Sequence, residues 1–136
     1  MSIPQSGGGQ IENMNQLSEY LESGCKLTKD WRIGTEHEKF GFDKSTLKPL
    51  PYEGSCSIKS MLEGLRDTFD WTPVYEQDNL IGLEKNGANV SLEPGGQLEL
   101  SGAPLESIHQ TCDEANLHLK EVKQIADKIG AGFLGL

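Results

Sequence analysis

The chain has 136 residues, of which 35% are hydrophobic and 24% charged, with 21 acidic against 12 basic side chains and a net charge of −9. That length fits a single domain able to bury a real core. The acidic balance speaks against a nucleic-acid binder, which needs a basic footprint, and against an anionic membrane surface as partner.

No run reaches the roughly 18 apolar residues of a membrane-spanning helix. The opening Met1 to Gln10 has neither a positive region nor an apolar core, so it does not read as a secretory signal. Its glycines predict a flexible tail over residues 1–10, followed by one domain over 11–136. Three widely spaced cysteines, Cys25, Cys56 and Cys112, fit neither a disulfide framework nor a zinc site. A cytoplasmic location is expected.

Asn13 to Ser23 predicts a first helix, with Asn13 as cap, Met14, Leu17 and Leu21 on one face and Gly24 at the stop. Arg32 to Phe42 alternates as a strand does. A loop over Thr46 to Ser57 leads to an amphipathic helix with Ile58, Met61, Leu62, Leu65 and Phe69 at helical spacing. Pro73 to Ser101 reads as β-rich. Asn86-Gly87 marks a hairpin, and Pro94-Gly95-Gly96 marks a second turn before the strand Gln97 to Ser101. Ser107 to Lys128 predicts a long helix with Ile108, Cys112, Ala115, Leu119, Val122 and Ile125 inward, closed by Gly130. Ala131 to Leu136 begins another apolar strand, and a domain that stops inside such a strand reads as cut. The fold class is α+β with a mainly antiparallel sheet and helices on one side.

Two stretches carry chemistry. In Gly34-Thr-Glu-His-Glu-Lys-Phe-Gly-Phe42, strand alternation puts Glu36, Glu38, Phe40 and Phe42 on one face, and two large aromatics make that the face expected to be buried. The Cβ atoms of Glu36 and Glu38 would then stand about 6.6 Å apart and repel by roughly 2–3 kcal/mol at an effective dielectric near 20. Protonation, a basic partner or a divalent cation would relieve this, and hard oxygen ligands suit Mg²⁺ or Mn²⁺. Alternatively Phe40 and Phe42 cap the strand while the glutamates face water. His37 points the other way and reads as a structural histidine, since H-E-x-x-H would need a second histidine where Gly41 stands. In Ser91-Leu-Glu-Pro-Gly-Gly-Gln-Leu-Glu-Leu-Ser-Gly102, Gln97, Glu99 and Ser101 share a polar face and Glu93 precedes the turn. With Glu36 and Glu38 they make two carboxylate-bearing strands, a plausible cage for metal ions that hold ATP phosphates, or else an ordinary half-buried strand and turn.

These two motifs resemble signature stretches of glutamate–cysteine ligases of the plant and proteobacterial type, and Trp31-Arg-Ile33, Leu105 to Cys112 and Gly132 to Gly135 are similar as well. The resemblance implies part of a glutamine-synthetase-like catalytic domain. It implies ATP- and Mg²⁺-dependent joining of the γ-carboxylate of L-glutamate to L-cysteine through γ-glutamyl phosphate, the first step of glutathione synthesis, with these small molecules as the partners. It places metal-binding glutamates on Glu36, Glu38 and Glu99, with Glu93 for metal or substrate, and leaves Arg32, Lys39 and Gln97 as candidates for substrate or ATP. It assigns no catalytic residue. Family members are longer, so a chain of this length is expected to be inactive by itself, and a plant source would make the plastid the compartment. Two other functions remain open: a non-catalytic acidic domain that binds a metal or a partner, and a related ligase that joins glutamate to another amine.

Overall fold

A computed structural model describes residues 9–135, so most of the tail expected over residues 1–10 lies outside the described residues. The elements run α1 (Met14–Ser23), a 3₁₀ turn (Thr28–Asp30), β1 (Glu36–Asp43), α2 (Ile58–Phe69), β2 (Thr72–Glu76), β3 (Asn79–Lys85), β4 (Ala88–Glu93), β5 (Gln97–Ser101), α3 (Ile108–Ile129) and β6 (Ala131–Gly135). The strands form one sheet in the order β2-β3-β4-β5-β1-β6, antiparallel at every pairing. This is the α+β class that the sequence predicts.

Local chemistry explains most of the ends. Asn13, Ser57 and Ser107 cap the three helices by accepting backbone N–H groups three residues on. At α3 the Gln110 side chain also accepts the Ser107 N–H, completing a capping box. Asn86 and Gly87 both take positive φ, 53° and 84°, which matches the right-handed twist of the β3–β4 hairpin. Gly130, at φ 80°, ends α3 and turns the chain straight into β6.

One face of the sheet is apolar. Leu83, Val90, Leu98 and Leu100 pack under Met61, Leu62 and Leu65 of α2 and Val122 and Ile125 of α3. Because α2 and α3 take this side, their partners on β1 are His37, Lys39 and Gly41, the residues out of phase with the two phenylalanines. The expectation that Phe40 and Phe42 mark the buried face is therefore corrected. Lys39 is 1% exposed, whereas Phe40 is 40% exposed on the uncovered side.

Two further expectations change. Helix α1 buries none of its residues, and Met14, Leu17 and Leu21 of its apolar stripe stay exposed. In α3 the inward face is turned toward Thr111, His118 and Glu121, while Ile108, Cys112 and Leu119 are exposed; Val122 and Ile125 point inward as expected. Polar contacts fix that phase. Glu114 accepts the Ala103 N–H at 2.9 Å, and Glu121 accepts the Trp71 indole N–H at 3.0 Å in a buried setting.

The α2–α3 contact is close enough that a β-carbon added at Gly64 would lie 2.4 Å from Cγ2 of Ile125. Gly64→Ala should gain about 1 kcal/mol in helix propensity yet lose roughly 1–3 kcal/mol to overpacking. The expected net result is a lower unfolding midpoint in urea. In an Ile125→Ala background, where the clashing methyl is gone, the same substitution should be neutral or stabilising, and the double-mutant cycle measures the coupling.

Candidate functional site

The uncovered face of the sheet is built by register. Glu36 stands opposite Ser101 and Glu38 opposite Glu99 between β1 and β5. Asn89 pairs with Ser101, Ser91 with Glu99 and Glu93 with Gln97 between β4 and β5. Directly paired residues share a face, so Glu36, Glu38, Asn89, Ser91, Glu93, Gln97, Glu99 and Ser101 make one polar surface over three adjacent strands. The four glutamates named from the sequence are thus brought onto one face, with Glu38 and Glu99 as direct neighbours and Glu93 at the far end, beside the Pro94-Gly95-Gly96 turn.

The surface is polar but not freely hydrated. Glu99 and Ser91 are buried, and Ser101 donates its hydroxyl to Glu99 Oε1 at 2.7 Å. The side-chain oxygens Asn89 Oδ1, Ser91 Oγ and Gln97 Oε1 are buried without a hydrogen-bond partner among the described residues. Buried polar atoms normally find partners, so three unpartnered oxygens beside a carboxylate pair mark where a ligand with donors or positive charge would be held. Beside this surface lies an apolar groove formed by Phe40, Phe42, Leu47, Pro49, Gly95 and Leu134. Asn89 and Ser91 were not singled out from the sequence. The signal was their spacing at two-residue intervals from Glu93 on a strand already read as β.

No set of three carboxylate, imidazole or thiolate side chains among the described residues comes close enough to hold a metal by itself. A cage of four acids is therefore not what the face provides. The arrangement still fits magnesium, which is usually held by one or two carboxylates together with water and phosphate oxygens. The donors here are all oxygen, as a hard cation requires.

The three substrate candidates go to different places. Gln97 is on the polar face. Arg32 lies outside the six strands: its guanidinium donates to the carbonyls of Lys29 and Trp31 and lies 3.5 Å from Glu106. Lys39 is on the opposite, helix-covered side, where Nζ donates to the His37 carbonyl at 3.1 Å. Strand alternation alone moves it away from the glutamates. The second strand lysine, Lys85, also belongs to the covered side, donating to the Phe69 carbonyl above the Trp71 ring. None of the six strands places a Lys or Arg on the polar face.

Beneath α3, burial pushes the Lys39 ammonium down to about 8, opposed by the negative Glu99 nearby. Burial also lowers the His118 imidazole to about 3, and Lys39 and His37 add to that shift. Both ring nitrogens of His118 and Nδ1 of His37 lack partners among the described residues. His37 is thus on the face opposite Glu36 and Glu38, as the alternation predicts.

His118 titrates near 6.5 when unfolded and near 3 when folded. Between those values the unfolded chain binds more protons, so acidification costs stability. We expect the wild-type chain to lose about 2 kcal/mol more than His118→Leu between pH 7 and pH 5, read from urea unfolding. Parallel pH profiles for the two proteins would show that His118 is not buried as a neutral group.

Comparison with known proteins matches residues 32–136 to the model of Glutamate-cysteine ligase family 2. The chain is 56% identical over 120 residues to the chloroplastic glutamate–cysteine ligase of Medicago truncatula, covering 88% of this chain and 23% of that protein. It is 57% identical over 119 residues to the chloroplastic glutamate–cysteine ligase of Nicotiana tabacum, covering 88% and 22%. It is 53% identical over 120 residues to that of Arabidopsis thaliana, covering 88% and 22%. The chain spans less than a quarter of the length of these curated relatives.

Proposed function

The chain belongs to glutamate–cysteine ligase family 2, and from that membership we propose that it forms part of an enzyme that joins the γ-carboxylate of L-glutamate to the amine of L-cysteine. In this reading ATP phosphorylates glutamate, cysteine displaces the phosphate, and the product enters glutathione synthesis. The chloroplastic names of the relatives support a plastid location in preference to the cytoplasm.

The observation that carries the proposal is the Glu38–Glu99 pair at the centre of the polar face, flanked by Glu36 and by the unpartnered oxygens of Ser91 and Gln97. Of Glu36, Glu38 and Glu99, the directly paired Glu38 and Glu99 would hold Mg²⁺ or Mn²⁺ together with water and phosphate oxygens, with Glu36 beside them and Glu93 at the margin for a second ion or the substrate. A bound magnesium ion would offset charge on the transferring phosphoryl group. The residues themselves do three things. The carboxylates fix the position of positive charge, the Ser101 hydroxyl orients Glu99, and rigid strands keep the spacing constant during turnover. The apolar groove beside them gives a water-poor wall.

Among the described residues no strand Lys or Arg lies on this face, so its strands cannot grip phosphate or a substrate carboxylate by direct ion pairing. The 136-residue chain alone is therefore expected to form no γ-glutamylcysteine from glutamate, cysteine, ATP and Mg²⁺ above a no-protein control, measured by mass spectrometry.

The chemistry is testable in a chimera in which this chain replaces the matching segment of the Medicago truncatula enzyme. Glu38→Gln and Glu99→Gln should each lower turnover at least about 100-fold, the scale of one lost electrostatic contact to a transition state. Added Mg²⁺ should restore part of that loss. His37→Gln, on the other side of the sheet, should cost far less. Equal and small effects at all three positions would reduce β1 to a structural strand and sink the assignment.

A further inference from the structure

We propose that Lys39 is an internal counter-charge to the glutamate face: a buried ammonium behind the sheet that steadies Glu38 and Glu99 when no cation is present and holds down their affinity for a divalent ion. This rests on the metal reading above and adds a positioning residue to it, one that touches neither metal nor substrate.

The geometry is specific. Lys39 pairs with Leu98 one residue along from the Glu38–Glu99 pair, on the same two strands and on the opposite side. Its side chain is 1% exposed. A buried charge normally finds an opposite charge within ion-pair distance, and Lys39 has none among the described residues; its hydrogen bond goes to a neutral carbonyl. The groups beside it under α3 are the imidazoles of His37 and His118, which do not balance it. The two α3 carboxylates that face the sheet form no ion pair with Lys39: Glu121 accepts the Trp71 indole N–H, and Glu114 accepts the Ala103 N–H through Oε1, its Oε2 having no partner among the described residues. By register the carboxylates beside it are Glu38 and Glu99, one position along on the other side of the same two strands, and Glu99 is the negative charge that favours the ammonium. A single layer of backbone screens poorly, so the interaction acts in both directions.

The sign follows. Positive charge behind the pair reduces repulsion between neighbouring carboxylates in the cation-free state. The same charge repels an incoming divalent ion, so affinity is moderate and the ion can exchange. A lysine present only for its apolar stem would be replaced by methionine without any change in cation binding.

Lys39→Met keeps the stem and removes the charge, and Lys39→Gln removes it with a polar head. Mn²⁺ binding to the 136-residue chain is measured by calorimetry or by loss of the free-ion paramagnetic signal, with far-UV circular dichroism to confirm folding. The expected result is a dissociation constant at least about fivefold lower in both variants than in wild type. His118→Gln, buried nearby and uncharged, should leave it within about twofold. Equal or weaker binding in the Lys39 variants, or unfolding of both, overturns the proposal and leaves the metal reading intact. A wild-type chain that binds no Mn²⁺ overturns the metal reading and this inference with it.

Discussion

The register between β1 and β5 governs both faces of this sheet. Side chains alternate strictly along a strand, so pairing Glu38 with Glu99 and Lys39 with Leu98 decides two things together. It gathers carboxylates and amide and hydroxyl oxygens on the open side, and it commits Lys39 and His37 to the side under α3. A slip of one residue would exchange the sets, placing glutamates against leucines and the lysine in solvent. The register is pinned from both edges: Leu98 and Leu100 of β5 are locked into the core, and β6 pairs with β1 from Lys39 to Asp43. The glutamate face depends on apolar packing that its own residues do not make.

The space between sheet and α3 shows what this commitment entails. A layer made from leucines alone would be simpler to bury, yet this one contains Lys39, His118 and Glu121, all nearly inaccessible. Each is handled differently. Glu121 accepts an indole N–H, Lys39 donates to a backbone carbonyl, and His118 stays neutral because burial and adjacent positive charge oppose its protonation. These polar contacts also set the rotation of α3. The helix sits where Glu114 and Glu121 find their donors, not where its full complement of apolar residues would be covered.

That explains which parts were legible in the sequence. Helix caps, the Asn86-Gly87 hairpin and the Gly130 stop follow from interactions within a few residues, and the chain alone reveals them. The sharing of a face by Glu36 and Glu38 follows from strand period and was equally readable. Which face the helices would cover was not, because Phe40 and Phe42 promise burial locally while the decision belongs to Leu83, Val90, Leu98 and Leu100 on other strands. The phase of α3 failed for the same reason. Ile108 and Leu119 sit on a stripe that competes with the one carrying Val122 and Ile125, and contacts to Ala103 and Trp71, distant in sequence, choose between them. Ser91 and Asn89 escaped notice because a serine or asparagine gains meaning only when its strand neighbours are carboxylates.

The polar face also limits how it can treat an anion. It concentrates negative charge and has no strand lysine or arginine to balance it, while both strand lysines lie behind the sheet. A phosphate arriving there would be repelled by Glu36, Glu38, Glu93 and Glu99 unless a cation came between them. In the proposed reaction that makes the cation the required intermediary on this surface, with basic groups for glutamate and nucleotide supplied from outside it. It also gives meaning to charge placed behind the sheet instead of on it. A lysine on the open face would pair with a glutamate directly, whereas one behind it acts on the same carboxylates from the far side of the sheet.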